Sequence, residues 1–187
     1  RDSSTSRGLG DVYKRQLLVQ QDVPAELYRE FMVDIAEEIE REDKIINDLL
    51  ALVKLDKSAA ELNISVVDIN ELTEIILKRL RPIARKNNVE VTLISKREIL
   101  AEVDEVKMTL ILTNLVENAI KYNREQGKVE VTLDADHQFF TIQVADTGIG
   151  IPEEALNQIY ERFYRVEKSH SREIGGTGLG LAITRSA

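Results

Sequence analysis

Asn114 and Asn118 stand four residues apart, with Lys121 and Tyr122 following one turn later. On a helix the two asparagines share a face. An amide carbonyl is a hard oxygen ligand that suits Mg²⁺, an ion that keeps several waters and takes few protein ligands. A lysine ammonium adds a point charge for phosphate. Asparagine is a mediocre helix former, so two on one apolar-flanked face need a reason. Glycines supply a second kind of chemistry. Beyond the first sixteen residues there are seven: Gly127 in a turn, and six in two clusters, DTGIGIP (Gly148, Gly150) and GGTGLGLAI (Gly175, Gly176, Gly178, Gly180). Glycine lets backbone approach a ligand closely and lets successive amides point at an anion. The second cluster runs directly into an apolar helical pattern, which adds the positive end of a helix. Neither cluster fits GxxxxGK[ST] or GxGxxG, and each alone is compatible with a tight turn.

Several elements must position these residues. From Pro24 to about Asp56, Leu27, Phe31, Ile35, Ile39, Ile46, Leu49, Leu50 and Val53 recur at three-to-four spacing, which predicts a long amphipathic helix. Asn63 to Val67 reads as a short strand. Asp68 with Glu71 three residues later is a capping-box pattern opening a helix from Ile69 to about Lys86, which Pro82 should kink. Val89 to Ile94 and Ile99 to Val103 read as strands. Asp104 then caps a helix to about Tyr122 that carries the two asparagines. Lys128 to Leu133 and Phe139 to Ala145 alternate around a turn, which is a hairpin signal. Pro152 opens a further helix, expected over Glu153 to Tyr160. Helices interleaved with strands that include a hairpin predict a two-layer α/β sandwich of the α+β class, with a mixed sheet and helices on one face.

The composition narrows the chemistry. The chain has 187 residues, no cysteine and a formal charge of −8. Disulfide scaffolds, thiolate metal sites and cysteine nucleophiles are therefore excluded. The acidic balance argues against a nucleic-acid surface, and no stretch reaches the roughly 20 apolar residues of a membrane span. Residues Arg1 to Gln16 are polar and unpatterned, and DVYKRQ is also the translation of a string resembling a transposon adaptor used in library preparation. They are set aside as a disordered, non-native leader. The leader holds four basic and two acidic residues, so the remainder carries a net charge of −10. At the other end the chain stops a few residues into a helical pattern and reads as truncated.

Taken together these residues resemble the ATP-binding domain of sensor histidine kinases, within the superfamily that includes gyrase, mismatch-repair and heat-shock-chaperone ATPases. The resemblance rests on four motifs in the family's order: Asn114 to Tyr122 (NLVENAIKY), Asp146 to Pro152, Glu161 to Arg165 (ERFYR) and Gly175 to Ile183. It implies that Asn118 coordinates Mg²⁺ bridging the triphosphate, with Asn114 beside it, Lys121 on phosphate and Tyr122 against the nucleotide. Asp146 would accept a hydrogen bond from the adenine amino group. Gly148 and Gly150 would let backbone approach the base, with Ile151 as an apolar wall. Gly176, Gly178 and Gly180, with Leu179, would hold the phosphate tail. Arg165 and Thr177 would bind nucleotide from the two ends of a mobile lid, to which Arg162, Lys168 and Arg172 lend positive charge. Phe163 is expected to pack at the lid base. His137 and His170 are expected to be solvated.

The resemblance divides the chain into the leader (1–16), the second helix of a dimerising, phosphoacceptor-bearing hairpin (17–60), and an ATP-binding catalytic domain (61–187) without its C-terminal strands. It implies transfer of the ATP γ-phosphate to a histidine absent from this chain, and thence to a response-regulator aspartate, by a homodimeric parent protein. That parent would be anchored in the plasma membrane with this part in the cytoplasm. The fragment itself should bind ATP without autophosphorylating. Hydrolytic relatives place a water-orienting glutamate four residues before the metal asparagine, and here that place is held by Asn114. Two other readings stand beside this one: a hydrolytic ATPase of the same superfamily, and a non-catalytic fragment whose long helix mediates dimerisation.

Overall fold

The structure is a computed structural model that describes residues 25–57, 62–166 and 176–187. The leader, Pro24, most of the expected lid, and with it Lys168, His170, Arg172 and Gly175, lie outside the described residues. The chain separates into two units at the Lys44–Ile45 boundary. Helix α1 (Ala25–Lys57) runs through that boundary. Within its first part, Arg41 and Glu38 form an ion pair of 3.0 Å one turn apart.

The second unit holds strand β1 (Ile64–Asp68), helix α2 (Ile69–Lys86), strands β2 (Glu90–Ser95) and β3 (Leu100–Asp104), helix α3 (Glu105–Lys121), the hairpin β4 (Lys128–Ala135) and β5 (Phe140–Asp146), and helix α4 (Gly180–Ser186). Strands β1 and β3 pair antiparallel, as a separate two-stranded ribbon. The other sheet has the order β2-β4-β5 and is mixed: β2 runs parallel to β4, and β5 antiparallel to it.

Each ribbon strand ends on an aspartate that starts a helix. Asp68 Oδ1 accepts from the backbone N–H of Asn70 (2.9 Å) and Glu71 (3.0 Å), and so caps α2. Asp104 Oδ1 accepts from Lys107 N–H (3.1 Å) to cap α3, while Oδ2 accepts from Asn63 N–H (3.1 Å). Satisfying otherwise orphaned first-turn amides in this way is worth about 1 kcal/mol per cap. Asn70 fixes the β2–β3 connection: its amide donates to Ser95 Oγ and to the Arg97 carbonyl, and its oxygen accepts from Ile99 N–H. Helix α2 continues through Pro82 to Lys86.

The core lies between the helices and one face of the mixed sheet. Ile69, Leu72, Ile76 and Leu80 of α2 meet Leu112, Val116 and Ile120 of α3 over Val129, Val131 and Leu133 of β4. Alternation along β4 sends those three inward, with Lys128 and Glu130 exposed on the other side. Burying each such aliphatic side chain contributes about 1.5–3 kcal/mol. This packing holds the outer face of α3 in a fixed orientation.

One expected element differs. Glu153 to Tyr160 is not an α-helix: a single 3₁₀ turn covers Glu153–Ala155, and turns follow it. Its bonds run mainly from residue i to i+3, as from Ala155 N–H to the Pro152 carbonyl and from Gln158 N–H to that of Ala155. Ala155 is buried, but Leu156 and Tyr160 stay exposed. With so little apolar face to bury, tertiary packing cannot sustain a short α-helix there.

Candidate functional site

Helix α3 buries Leu112, Val116, Ala119 and Ile120. Its opposite face carries Asn114, Glu117, Asn118 and Lys121, at positions i, i+3, i+4 and i+7. The start of α4 lies against this polar stripe: a methyl group at Gly180 would sit 3.3 Å from Asn114 Oδ1 and 3.8 Å from Asn118 Nδ2. Asn114 Nδ2 is buried and has no hydrogen-bond partner among the described residues. A buried amide left this way costs about 1–3 kcal/mol. Lys121 Nζ lies 3.3 Å from Glu117 Oε2, and both side chains are only about one-fifth exposed (21% and 20%).

The first glycine loop is sewn to the end of α3. Ile149 N–H donates to the Tyr122 carbonyl (3.1 Å). A Cβ on Gly148 would collide with that same carbonyl and lie 2.7 Å from Asp146 Oδ1, which itself accepts from Gly148 N–H at 2.8 Å. Gly150 has φ +74°, a left-handed conformation in which glycine avoids the penalty of a Cβ. Asn123 and Thr147, which the sequence does not single out, complete the junction. Thr147 Oγ1 donates to Asn123 Oδ1, and the Asn123 amide donates to the carbonyls of Ala119 and Lys128.

The second glycine loop meets the site from the other side. Gly176 packs so that a methyl group there would lie 2.7 Å from the Tyr122 hydroxyl and 3.6 Å from Arg165 Nη2. Gly178 (φ +73°) lies against the backbone of Phe163 and Tyr164, and its carbonyl accepts from Phe163 N–H at 2.9 Å. Phe163 itself has φ +65°, and its side chain is 58% exposed. Among the described residues, the contact of Phe163 with the second glycine loop is made by its backbone.

The fold thus gathers Asn114, Asn118 and Gly180 in one group, and Asp146, Gly148, Tyr122, Gly176 and Arg165 in a second that adjoins it through α3. Three predicted residues stand differently. The Leu179 side chain is fully buried with Leu52 of α1 and Ile183 of α4, which leaves its backbone as the part able to meet a ligand. Thr177 Oγ1 donates to Asp48 Oδ2 of α1 at 2.6 Å and accepts from Leu179 N–H. Ile151 is exposed. His137 is exposed in the β4–β5 turn. Among the described residues no three His, Cys, Asp or Glu side chains form a metal cage. An amide-based site that leaves most of a metal's shell to other oxygens is the arrangement that fits this donor set.

Residues 103–187 match the family described as histidine kinase-, DNA gyrase B- and HSP90-like ATPase. The sensor protein kinase WalK of Staphylococcus epidermidis is 40% identical over 162 residues, which is 86% of this chain. The chain carries the ATPase domain of a sensor histidine kinase. It spans about a quarter (26%) of that relative's length. The WalK of Staphylococcus aureus is 38% identical over the same share of this chain. Among solved structures, the catalytic domain of histidine kinase ThkA aligns with a TM-score of 0.59 at 29% identity, covering 66% of this chain and 78% of that one. Full-length ShkA, solved in complex with AMPPNP, aligns with a TM-score of 0.69 at 28% identity over 91% of this chain and 35% of that one. The asparagine stripe, both glycine loops and the Glu161–Arg165 segment all fall inside the ATPase domain. No helix among the described residues is long and apolar enough to cross a membrane.

Proposed function

We propose that this ATPase domain binds Mg-ATP and serves as the catalytic core of a sensor histidine kinase, which transfers the γ-phosphoryl group to a histidine of the parent protein and thence to a response-regulator aspartate. The observation that carries the reading is the convergence of Asn114, Asn118 and the N-terminus of α4 around a buried amide that has no hydrogen-bond partner among the described residues. In this reading Asn118 ligates the metal, Asn114 lies beside it, and Lys121 and Arg165 contact phosphate. The backbone at Gly176, Gly178, Leu179 and Gly180 holds the phosphate tail. Tyr122 and Ile151 flank the nucleotide, Asp146 accepts from the adenine amino group, and Gly148 and Gly150 allow the base to approach. Bound Mg²⁺ supplies neutralisation of the triphosphate charge. Catalysis by the chain is then positioning and electrostatics.

Asn114 favours kinase chemistry over hydrolysis, because an amide cannot act as the base that activates water. Helix α1 is proposed as the second helix of a dimerising hairpin in a membrane-anchored parent whose ATPase domain is cytoplasmic. The exposure of Leu27, Ile39, Ile46, Leu49 and Val53 along one face supports this. The test is calorimetric titration with a non-hydrolysable ATP analogue in excess MgCl₂. Binding that weakens at least about tenfold in both Asn118→Ala and Asp146→Asn is expected. Unchanged affinity in both overturns the reading.

A further inference from the structure

Glu117 is a group that the nucleotide-binding roles above leave unused. It lies at the edge of the polar stripe of α3, one residue before Asn118 and one turn before Lys121, and its carboxylate is 3.3 Å from the Lys121 ammonium. Both side chains are four-fifths shielded from water. A carboxylate there is costly unless paired. The order, with Glu four residues before Lys, suits an i,i+4 pair, but such a pair on a helix surface contributes only a few tenths of a kcal/mol.

The placement has a consequence for charge. With Glu117 ionised, the ammonium that would attract phosphate is already neutralised. A metal-free triphosphate, with about four negative charges, must compete with the carboxylate for Lys121 in a partly shielded site. A metal-chelated triphosphate would bring about half that charge, and so would meet correspondingly less repulsion from the carboxylate. We propose that Glu117 is a specificity-determining residue that makes the site discriminate against metal-free nucleotide, acting through Lys121 and the local field. The proposal rests on the Mg-ATP reading above.

The affinity of an imido analogue of ATP is to be measured by calorimetry in excess MgCl₂ and in excess EDTA, for the wild-type chain and for Glu117→Gln, Glu117→Ala and Glu117→Asp. Removing the charge is expected to strengthen metal-free binding roughly tenfold. Affinity for the Mg²⁺ complex should stay within about threefold, so the ratio of the two affinities narrows. Glu117→Asp, which keeps the charge, should keep the wild-type ratio. A ratio unchanged in Gln and Ala variants overturns the proposal. So does a parallel fall of both affinities with a lowered Tm, which would mark Glu117 as purely structural. If the wild-type chain binds nucleotide in neither buffer, the Mg-ATP reading fails and takes this inference with it.

Discussion

Thr177 Oγ1 donates a 2.6 Å hydrogen bond to Oδ2 of Asp48, a residue 129 positions earlier in the chain. It joins the second glycine loop to the C-terminal part of α1, beside the small cluster in which Leu52 packs on Leu179 and Ile183. The loop next to the asparagine stripe therefore rests on the long helix as well as on its own domain. A hydrogen bond to a charged acceptor is worth about 1.5–3 kcal/mol when partly buried. Asp48→Ala and Thr177→Val should each lower stability by about 1–2 kcal/mol in urea denaturation. The double variant should lose little more than either single one, because the two changes remove one interaction. Strict additivity would show that the bond contributes nothing.

Leu52 is 2% exposed, and it is the residue through which α1 joins this cluster most fully. Leu52→Ala should cost about 2–4 kcal/mol through lost burial and a residual cavity, whereas Leu52→Met should cost less than about 1.5. The damage should be local, since a seven-residue α4 cannot stand without packing. Hydrogen exchange is the measurement. The amides of Ile183 and Ala187, bonded to the Leu179 and Ile183 carbonyls, should exchange faster, while those of Leu112 to Ile120 in α3 should not. Equal acceleration in both helices would mean that the cluster is not a separate unit of stability.

The glycines differ in what they tolerate. At Gly150 a Cβ meets nothing within 4 Å, so Gly150→Ala should cost only the left-handed backbone penalty, about 1 kcal/mol. At Gly148 φ lies outside the left-handed range, but the Cβ would overlap the Tyr122 carbonyl, so Gly148→Ala should cost about 1–3 kcal/mol through forced backbone movement. Gly178→Ala carries both penalties and should be the most damaging, since its Cβ would lie 2.9 Å from the backbone carbon of Phe163. The order Gly150, Gly148, Gly178 can be checked by midpoints of thermal unfolding. A Gly150→Ala variant as unstable as Gly178→Ala would contradict it.

Much of this was legible in the sequence, for identifiable reasons. Strand and helix positions followed from periodicity and from Asp68 and Asp104, because caps are local chemistry: a carboxylate and the next three amides suffice. The asparagine stripe and glycine loops were legible because glycine and mid-helix asparagine are disfavoured without cause. The contacts of Thr177 and Leu179 were not legible. Their partners, Asp48 and Leu52, are far away in sequence, and nothing local distinguishes a loop threonine that meets a ligand from one that bonds a distant carboxylate. Asn123 and Thr147 escaped for the same reason, since their bonds close between three elements. The helix expected after Pro152 failed on packing, because its start signal was present but an apolar face to hold it was not.

Acid should destabilise the ATPase domain through its capping and turn aspartates. The Lys107 backbone N–H, the largest influence, holds Asp104 below its ordinary value of 3.8 despite some burial, with help from Asn63 N–H and the Lys107 charge. The hydrogen bond from Lys96 lowers Asp134, and the N–H groups of Gln138 and Phe139 lower Asp136. A carboxyl group whose pKa is depressed on folding binds fewer protons in the folded than in the unfolded chain over the interval between the two values. Its contribution is therefore fully present above the unfolded value near 3.8 and disappears as pH falls through the folded one. Through these three groups the Tm should not vary with pH near neutrality, where their contribution is constant, and should fall below about pH 4. Asp104→Asn separates the charge from the cap, because asparagine caps a helix about as well as aspartate. Its Tm near neutrality should fall modestly, because an amide has one acceptor oxygen and cannot take the N–H groups of both Lys107 and Asn63, while its decline in acid should be shallower than that of the wild-type chain. An unaltered acid limb in this variant would show that protonation of Asp104 is not among the events that unfold the domain.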